Sequence, residues 1–150
     1  SGGTYRIACR EITLGATEEG RAAMARCLAA NPDVNLVYTI NEPAASGAVE
    51  ALRAAGNTAT VVSVDGGCEP GIAMVQAGII GATSQQYPLE MAAQGMDAIA
   101  AYLRDGTLPI PNQGIDLITT GVALVTNDPQ PGVPSIDVAA GLDRCWGNPS

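Results

Sequence analysis

Apolar and polar positions follow two different periods along this chain. Leu36 to Ile40, Thr60 to Val64 and Ile79 to Ser84 are short runs of strand length, rich in apolar and β-branched residues, and the segments between them place apolar residues at helical spacing. Thr17 to Ala30 reads as a helix: Glu18 and Glu19 lie in its first turn, Met24 and Leu28 share a face, and Asn31-Pro32 stops it. A second helix runs from Pro43 to about Ala55, buries Val49 and Leu52, and ends at Gly56-Asn57. A short helix carries Ile72 and Val75. A longer one opens at Pro88, with Ala92, Met96, Ile99 and Leu103 spaced by four, three and four, and closes at Asp105-Gly106. Strands over Tyr5 to Cys9 and over Val34 to Ile40, the latter buried, and an extended stretch from Gly114 to Val125 complete the pattern. Asp65-Gly66-Gly67 reads as a tight turn.

Strands alternating with helices predict an α/β domain: an open, mainly parallel twisted sheet flanked by helices, of Rossmann-like or flavodoxin-like type. In such a sheet, ligands sit in the crevice beyond the carboxyl ends of the strands. The three apolar runs end there on Asn41, on Asp65, and just short of Gln86. Two amides and a carboxylate suit a polyhydroxylated guest, because they accept and donate hydrogen bonds without requiring charge on the ligand. Taken singly, Asn41 also fits a helix cap and Asp65 an Asx-turn. Their joint placement on successive strand ends is what points to a binding site.

Composition narrows the class. With 150 residues, 47% hydrophobic and 15% charged, the chain has material for one sizeable core and one domain. A net charge of −8 and seven scattered basic residues, all of them Arg, disfavour nucleic acid and anionic membrane surfaces. Pro70 to Leu89 carries no charge, but Pro, Ser, Gly and three Gln interrupt it, which fits helix, strand and turn better than a membrane span. No charged segment followed by an apolar one opens the chain, and Ser1-Gly2-Gly3 reads as a processed or engineered end from which an export signal has been removed.

Histidine is absent, which takes away the commonest general base near neutral pH and the commonest metal ligand. An enzyme on a flavodoxin-like sheet, with Asp65 as base and Cys68 as nucleophile, would also lack a phosphate-cradling glycine loop, since Asp65-Gly66-Gly67 does not have that spacing. No cofactor is implied. The cysteines, Cys9, Cys27, Cys68 and Cys145, lack the paired spacing of a zinc site and any CxxC, so no metal is expected. An even count suggests two disulfides. Of the three possible pairings, Cys9 with Cys27 and Cys68 with Cys145 is favoured: the first joins a strand end to the following helix, the second fastens a Pro- and Gly-rich C-terminal segment to a turn. Four buried thiols of a cytosolic protein are the alternative.

The runs Asn31-Pro32-Asp33-Val34-Asn35-Leu36-Val37-Tyr38-Thr39-Ile40-Asn41-Glu42-Pro43-Ala44-Ala45, Val62-Ser63-Val64-Asp65-Gly66-Gly67-Cys68 and Ala82-Thr83-Ser84-Gln85-Gln86-Tyr87-Pro88 together resemble the C-terminal half of a ribose-type (type I) periplasmic sugar-binding protein. Cys145-Trp146-Gly147, with the cysteine in the aspartate turn, resembles most closely the fructose-associated branch. The resemblance implies the soluble, non-enzymatic receptor of an ABC importer, periplasmic or extracellular and membrane-associated, that grips a monosaccharide and works with a membrane permease. It also implies that Asn41, Asp65 and Gln86 hydrogen-bond sugar hydroxyls. Arg10 is expected at the surface, and Tyr38, Tyr87 and Trp146 in core or rim packing.

Set against that family, the first lobe and the opening strand and helix of the second lobe are missing. The resemblance assigns 1–86 and 118–150 to the second lobe and 87–117 to a segment that crosses to the first. The helix over 88–104 then needs a partner for its apolar face: the absent lobe, a separate fragment or a second chain. The effector core of a lactose-repressor-type regulator shares the architecture, but it would be cytosolic, against the paired cysteines, and no helix-turn-helix precedes the core here. A chemotaxis or sensor-kinase partner in place of a transporter fits the residues equally.

Overall fold

The computed structural model describes residues 4–112, 114 and 116–147. Residues 4–16 run without regular structure and lead into α1 (Thr17–Ala30), followed by β1 (Leu36–Tyr38), α2 (Glu42–Ala54) and β2 (Thr60–Asp65). A wide helical turn over Cys68–Ile72 continues into α3 (Ala73–Gln76), then come β3 (Ala82–Gln85), α4 (Pro88–Asp105), β4 (Ala123–Thr126) and α5 (Val138–Leu142).

The strands form one sheet in the order β1-β2-β3-β4. β1, β2 and β3 are parallel, with Tyr38 beside Val62 and Asp65 beside Gln85, and β4 runs antiparallel to β3. The sheet is thus open and mixed, mainly parallel, with flanking helices. Along β2, Val61 and Ser63 are buried while Val62 and Val64, which alternate with them, are half-buried, the period-2 signature of one well-covered face. Val61 joins Met24, Leu28, Leu52, Ile72 and Val125 in the core.

Two glycines explain how α1 reaches α2. A Cβ on Gly47 would overlap the carbonyl of Thr17, and one on Gly20 would meet the carbonyl of Ala44, so the helices touch backbone to backbone only because those positions lack side chains. α1 starts at Ala16 without a side-chain cap, whereas Asn41 caps α2 by accepting the Ala44 N–H, with Pro43 in the first turn. Gly106, at φ 78°, closes α4 in the left-handed conformation.

Several sequence expectations are corrected. Tyr5 to Cys9 forms no strand; among the described residues the segment has no neighbour to pair with, and Tyr5 and Ile7 are exposed. The strand expected over Val34 to Ile40 shortens to Leu36–Tyr38 and is not buried, because it pairs with β2 alone and leaves Leu36, Tyr38 and Ile40 at the open edge. The third strand starts at Ala82, since Ile79 and Ile80 are spent on the turn, where their N–H groups bond the Met74 carbonyl. The extended stretch expected over Gly114 to Val125 includes Ile115, outside the described residues, and its strand is Ala123–Thr126. α5 was not foreseen, being five residues long.

α4 has the expected apolar stripe, yet it contributes no buried residue: Met96 is 66%, Ile99 57% and Leu103 79% exposed. It leaves the sheet rather than folding back onto it. Among the described residues no helix is long and apolar enough to cross a membrane.

Candidate functional site

Asn41, Asp65 and Gln86 lie at the carboxyl ends of three adjacent parallel strands. Asn41 follows β1, whose pairing continues through the Thr39 N–H to the Val62 carbonyl. Asp65 ends β2, and Gln86 follows its neighbour Gln85 on β3. Parallel pairing without a register break brings all three to one edge, where an open sheet opens its crevice.

Each is held locally. Asn41 Oδ1 accepts from the Ala44 N–H (3.1 Å) and its Nδ2 donates to the Gly15 carbonyl (2.9 Å). It therefore caps α2 and still has one N–H and one lone pair unused. The Gln86 Nε2 donates to Asp65 Oδ1 at 2.8 Å, and its backbone N–H donates to the Asp65 carbonyl. Among the described residues, Asp65 Oδ2 and Gln86 Oε1 make no hydrogen bond. Asp65 has φ 129°, which for a side chain other than glycine costs about 1–3 kcal/mol and persists only where the surroundings over-determine it.

Those surroundings converge on the Asp65-Gly66-Gly67 turn from three sides. The Trp146 indole N–H donates to the Asp65 carbonyl (3.4 Å), and the Cys68 N–H donates to the Trp146 carbonyl (2.9 Å). Disulfides join Cys9 to Cys27 and Cys68 to Cys145, the second tying the C-terminal segment to this turn. Gln85, fully buried, donates from Nε2 to the Gly66 carbonyl (3.1 Å) and the Gly141 carbonyl (2.9 Å). Gly66 lies against Gln85 so closely that any side chain there would overlap it.

The third support was not read from the sequence. Glu42 is 2% exposed, and its Oε1 accepts from the Gly66 N–H (2.7 Å) and the Thr83 hydroxyl (2.8 Å). Burial pushes its pKa up; bonds from Thr83 and Gly66 oppose this, and the nearby Asp65 charge adds to the rise. Its position between the cap Asn41 and Pro43 is that of any acidic residue in a helix first turn. Only the distant pairing with Gly66 and Thr83 sets it apart, and no local pattern carries that.

Beside the edge, Tyr87, Pro88, Leu89, Glu90, Asp143, Arg144 and Trp146 line a hollow of about 270 Å³. Arg144 stacks over the Tyr87 ring at 3.9 Å and pairs with Glu90. Tyr87 is buried, Trp146 half-buried, Tyr38 exposed and Arg10 exposed. No group of His, Cys, Asp and Glu among the described residues could hold a metal ion.

Residues 4–107 match a periplasmic binding protein domain, and the chain belongs to that family. Similar solved structures include a galactofuranose binding protein (23% identity, TM-score 0.67, covering 85% of this chain and 40% of that one) and a periplasmic ribose ABC transporter protein from Conexibacter woesei (26%, TM-score 0.61, 75% and 37%). A third is an ABC transporter solute binding protein from Agrobacterium vitis with bound D-fucose (26%, TM-score 0.65, 77% and 38%). The chain thus spans about two fifths of the length of the proteins it resembles. A search of curated proteins finds no match. The chain is a periplasmic-binding-protein domain homologous to the binding components of sugar ABC transporters, a family that binds rather than transforms its ligands.

Proposed function

We propose that this chain supplies the second lobe of the substrate-binding component of an ABC-type sugar importer, and that Asn41, Asp65 and Gln86 hold a monosaccharide, fructose or a ribose-like sugar, between that lobe and a first one. The observation that carries this reading is the Asp65–Gln86 pair at the carboxyl edge, which keeps Asp65 Oδ2 and Gln86 Oε1 unpartnered among the described residues. An ionised carboxylate accepts from adjacent ring hydroxyls in charge-assisted bonds about twice as strong as neutral ones. The amides each accept and donate, so an epimer leaves one buried group unpaired at a cost of about 1–3 kcal/mol.

The lobe assignment is 1–86 and 118–150 for the second lobe, with 87–117 crossing to the first. The exposed stripe of α4 supports it, since a helix with Ile99 and Leu103 in water needs a covering surface. That surface is the first lobe or a second chain. The ABC permease is the membrane partner, and the location is periplasmic or extracellular, in keeping with two disulfides.

With half of the ligand shell on another lobe, affinity of the 150-residue chain alone is weak. Amide-resonance mapping suits weak binding. Titration of the labelled chain with D-fructose and D-ribose is expected to move the amides of Asn41, Asp65 to Gly67 and Gln86. Shifts confined to the opposite end of the sheet, around Pro32 to Asn35 and Ala55 to Ala59, contradict the proposal.

A further inference from the structure

Glu42 is the one carboxylate among the described residues that is both buried and bonded to two separate parts of the sheet, the turn after β2 and the body of β3. Its Oε1 joins the Gly66 N–H, adjacent to Asp65, to the hydroxyl of Thr83 on β3, while Glu42 itself follows Asn41 directly in the chain. Among the described residues no cation pairs with it. Gly71 lies against the carboxylate so closely that a Cβ there would overlap it, so the turn after Cys68 is shaped around this group.

We propose that Glu42 is the positioning residue of the monosaccharide site: its carboxylate fixes, through Gly66 and Thr83, the three strand ends that present Asn41, Asp65 and Gln86. The proposal rests on the reading of those three residues as ligand-binding and adds a residue that never touches the sugar. An unpaired buried carboxylate is costly to fold around, and an apolar side chain of similar size fills space without that penalty. What the apolar side chain cannot do is accept from Gly66 and Thr83 at once. Asp65 needs such an outside restraint, because its φ of 129° is not one that an aspartate adopts when left to itself. Replacing the acceptor frees the Gly66 N–H, and the Asp65 carboxylate then loses the orientation in which it faces the crevice.

The test uses the ligand-free 150-residue chain carrying Glu42→Ala, Glu42→Gln or Thr83→Val. Hydrogen exchange at the Gly66 amide and the three-bond HN–Hα coupling of Asp65, which reads its φ, are measured with α1 amides as reference. Glu42→Ala is expected to speed Gly66 exchange about tenfold or more relative to α1 and to shift the Asp65 coupling. Glu42→Gln, which keeps the accepting oxygen, restores both toward wild type. Wild-type exchange and coupling in Glu42→Ala, or a Glu42→Gln as damaged as Glu42→Ala, overturns the proposal. If Glu42→Ala does not fold, Thr83→Val decides, because it removes one anchor of the carboxylate: a changed Gly66 amide supports the role and an unchanged one rejects it. Titration with D-fructose and D-ribose adds the ligand arm, in which affinity is expected to follow the Asp65 coupling across the variants. Absence of binding to wild type counts against the monosaccharide reading, whereas the exchange and coupling measurements contain no sugar and judge Glu42 independently.

Discussion

The Gln86 amide donates to Asp65 Oδ1 at 2.8 Å. Two side chains that the sequence places on different strand ends are therefore one hydrogen-bonded unit before any ligand arrives. A carboxylate preset in this way loses less freedom on binding than one that must be ordered by its guest.

That unit has a measurable coupling. Asp65→Ala and Gln86→Ala, alone and combined, are expected to show an interaction energy of about 1 kcal/mol in urea unfolding of the chain. Strict additivity of the two substitutions contradicts the bond.

The disulfides differ in the loops they close, with separations of 77 residues for Cys68–Cys145 and 18 for Cys9–Cys27. In the loop-entropy account the longer contributes about 4.5 kcal/mol and the shorter about 3 kcal/mol. Replacing both cysteines of either pair by serine and measuring urea unfolding checks the order. Trp146 is the only tryptophan, so loss of Cys68–Cys145 is also expected to shift its fluorescence as the contact with Asp65 loosens, whereas loss of Cys9–Cys27 leaves it in place.

Ile99 is 57% exposed on α4, so Ile99→Asp is expected to change the unfolding free energy of this chain by no more than about 0.5 kcal/mol. A loss above about 2 kcal/mol contradicts the exposed placement. In a two-lobed receptor the same change is expected to weaken the joining of the lobes.

Glu42 gives stability a pH signature of defined sign. Its pKa in the folded chain is raised above the ordinary value of 4.5, mainly by burial. Between the ordinary and the raised value the folded state binds more protons than the unfolded one. Its contribution is therefore fully present below the ordinary value and falls as pH rises toward the raised one. Melting temperatures of wild type and Glu42→Gln across this range check it: the difference between them is expected to vary with pH, and parallel curves contradict it.

Much of the fold was legible because its signals are local. α1 is bounded by Glu18 and Glu19 at one end and by Asn31-Pro32 at the other, and α4 by Pro88 and Gly106, and each helix matches its expected span closely. What failed depends on neighbours that no window of sequence contains. Tyr5 to Cys9 and the outer part of Val34 to Ile40 have strand-like composition, but a strand exists only where a partner supplies hydrogen bonds, and among the described residues none flanks β1 on that side. At the candidate site, strand-end position was enough to bring Asn41, Asp65 and Gln86 to one edge, because parallel topology carries adjacent strand ends together. Glu42, Gln85 and Trp146 act through contacts made 24, 56 and 81 residues away, and such pairings appear only once the chain has folded.

The proposed sugar site depends on the Asp65 carboxylate gripping ring hydroxyls at the carboxyl edge. Calorimetric titration of the two-lobed receptor with a panel of monosaccharides including D-fructose and D-ribose, repeated on Asp65→Ala, tests it most directly. Binding of a monosaccharide is expected, with a loss of about 1–3 kcal/mol, roughly fivefold to 150-fold in affinity, on truncation of Asp65. An Asp65→Ala receptor that binds the same sugar with unchanged affinity would contradict it.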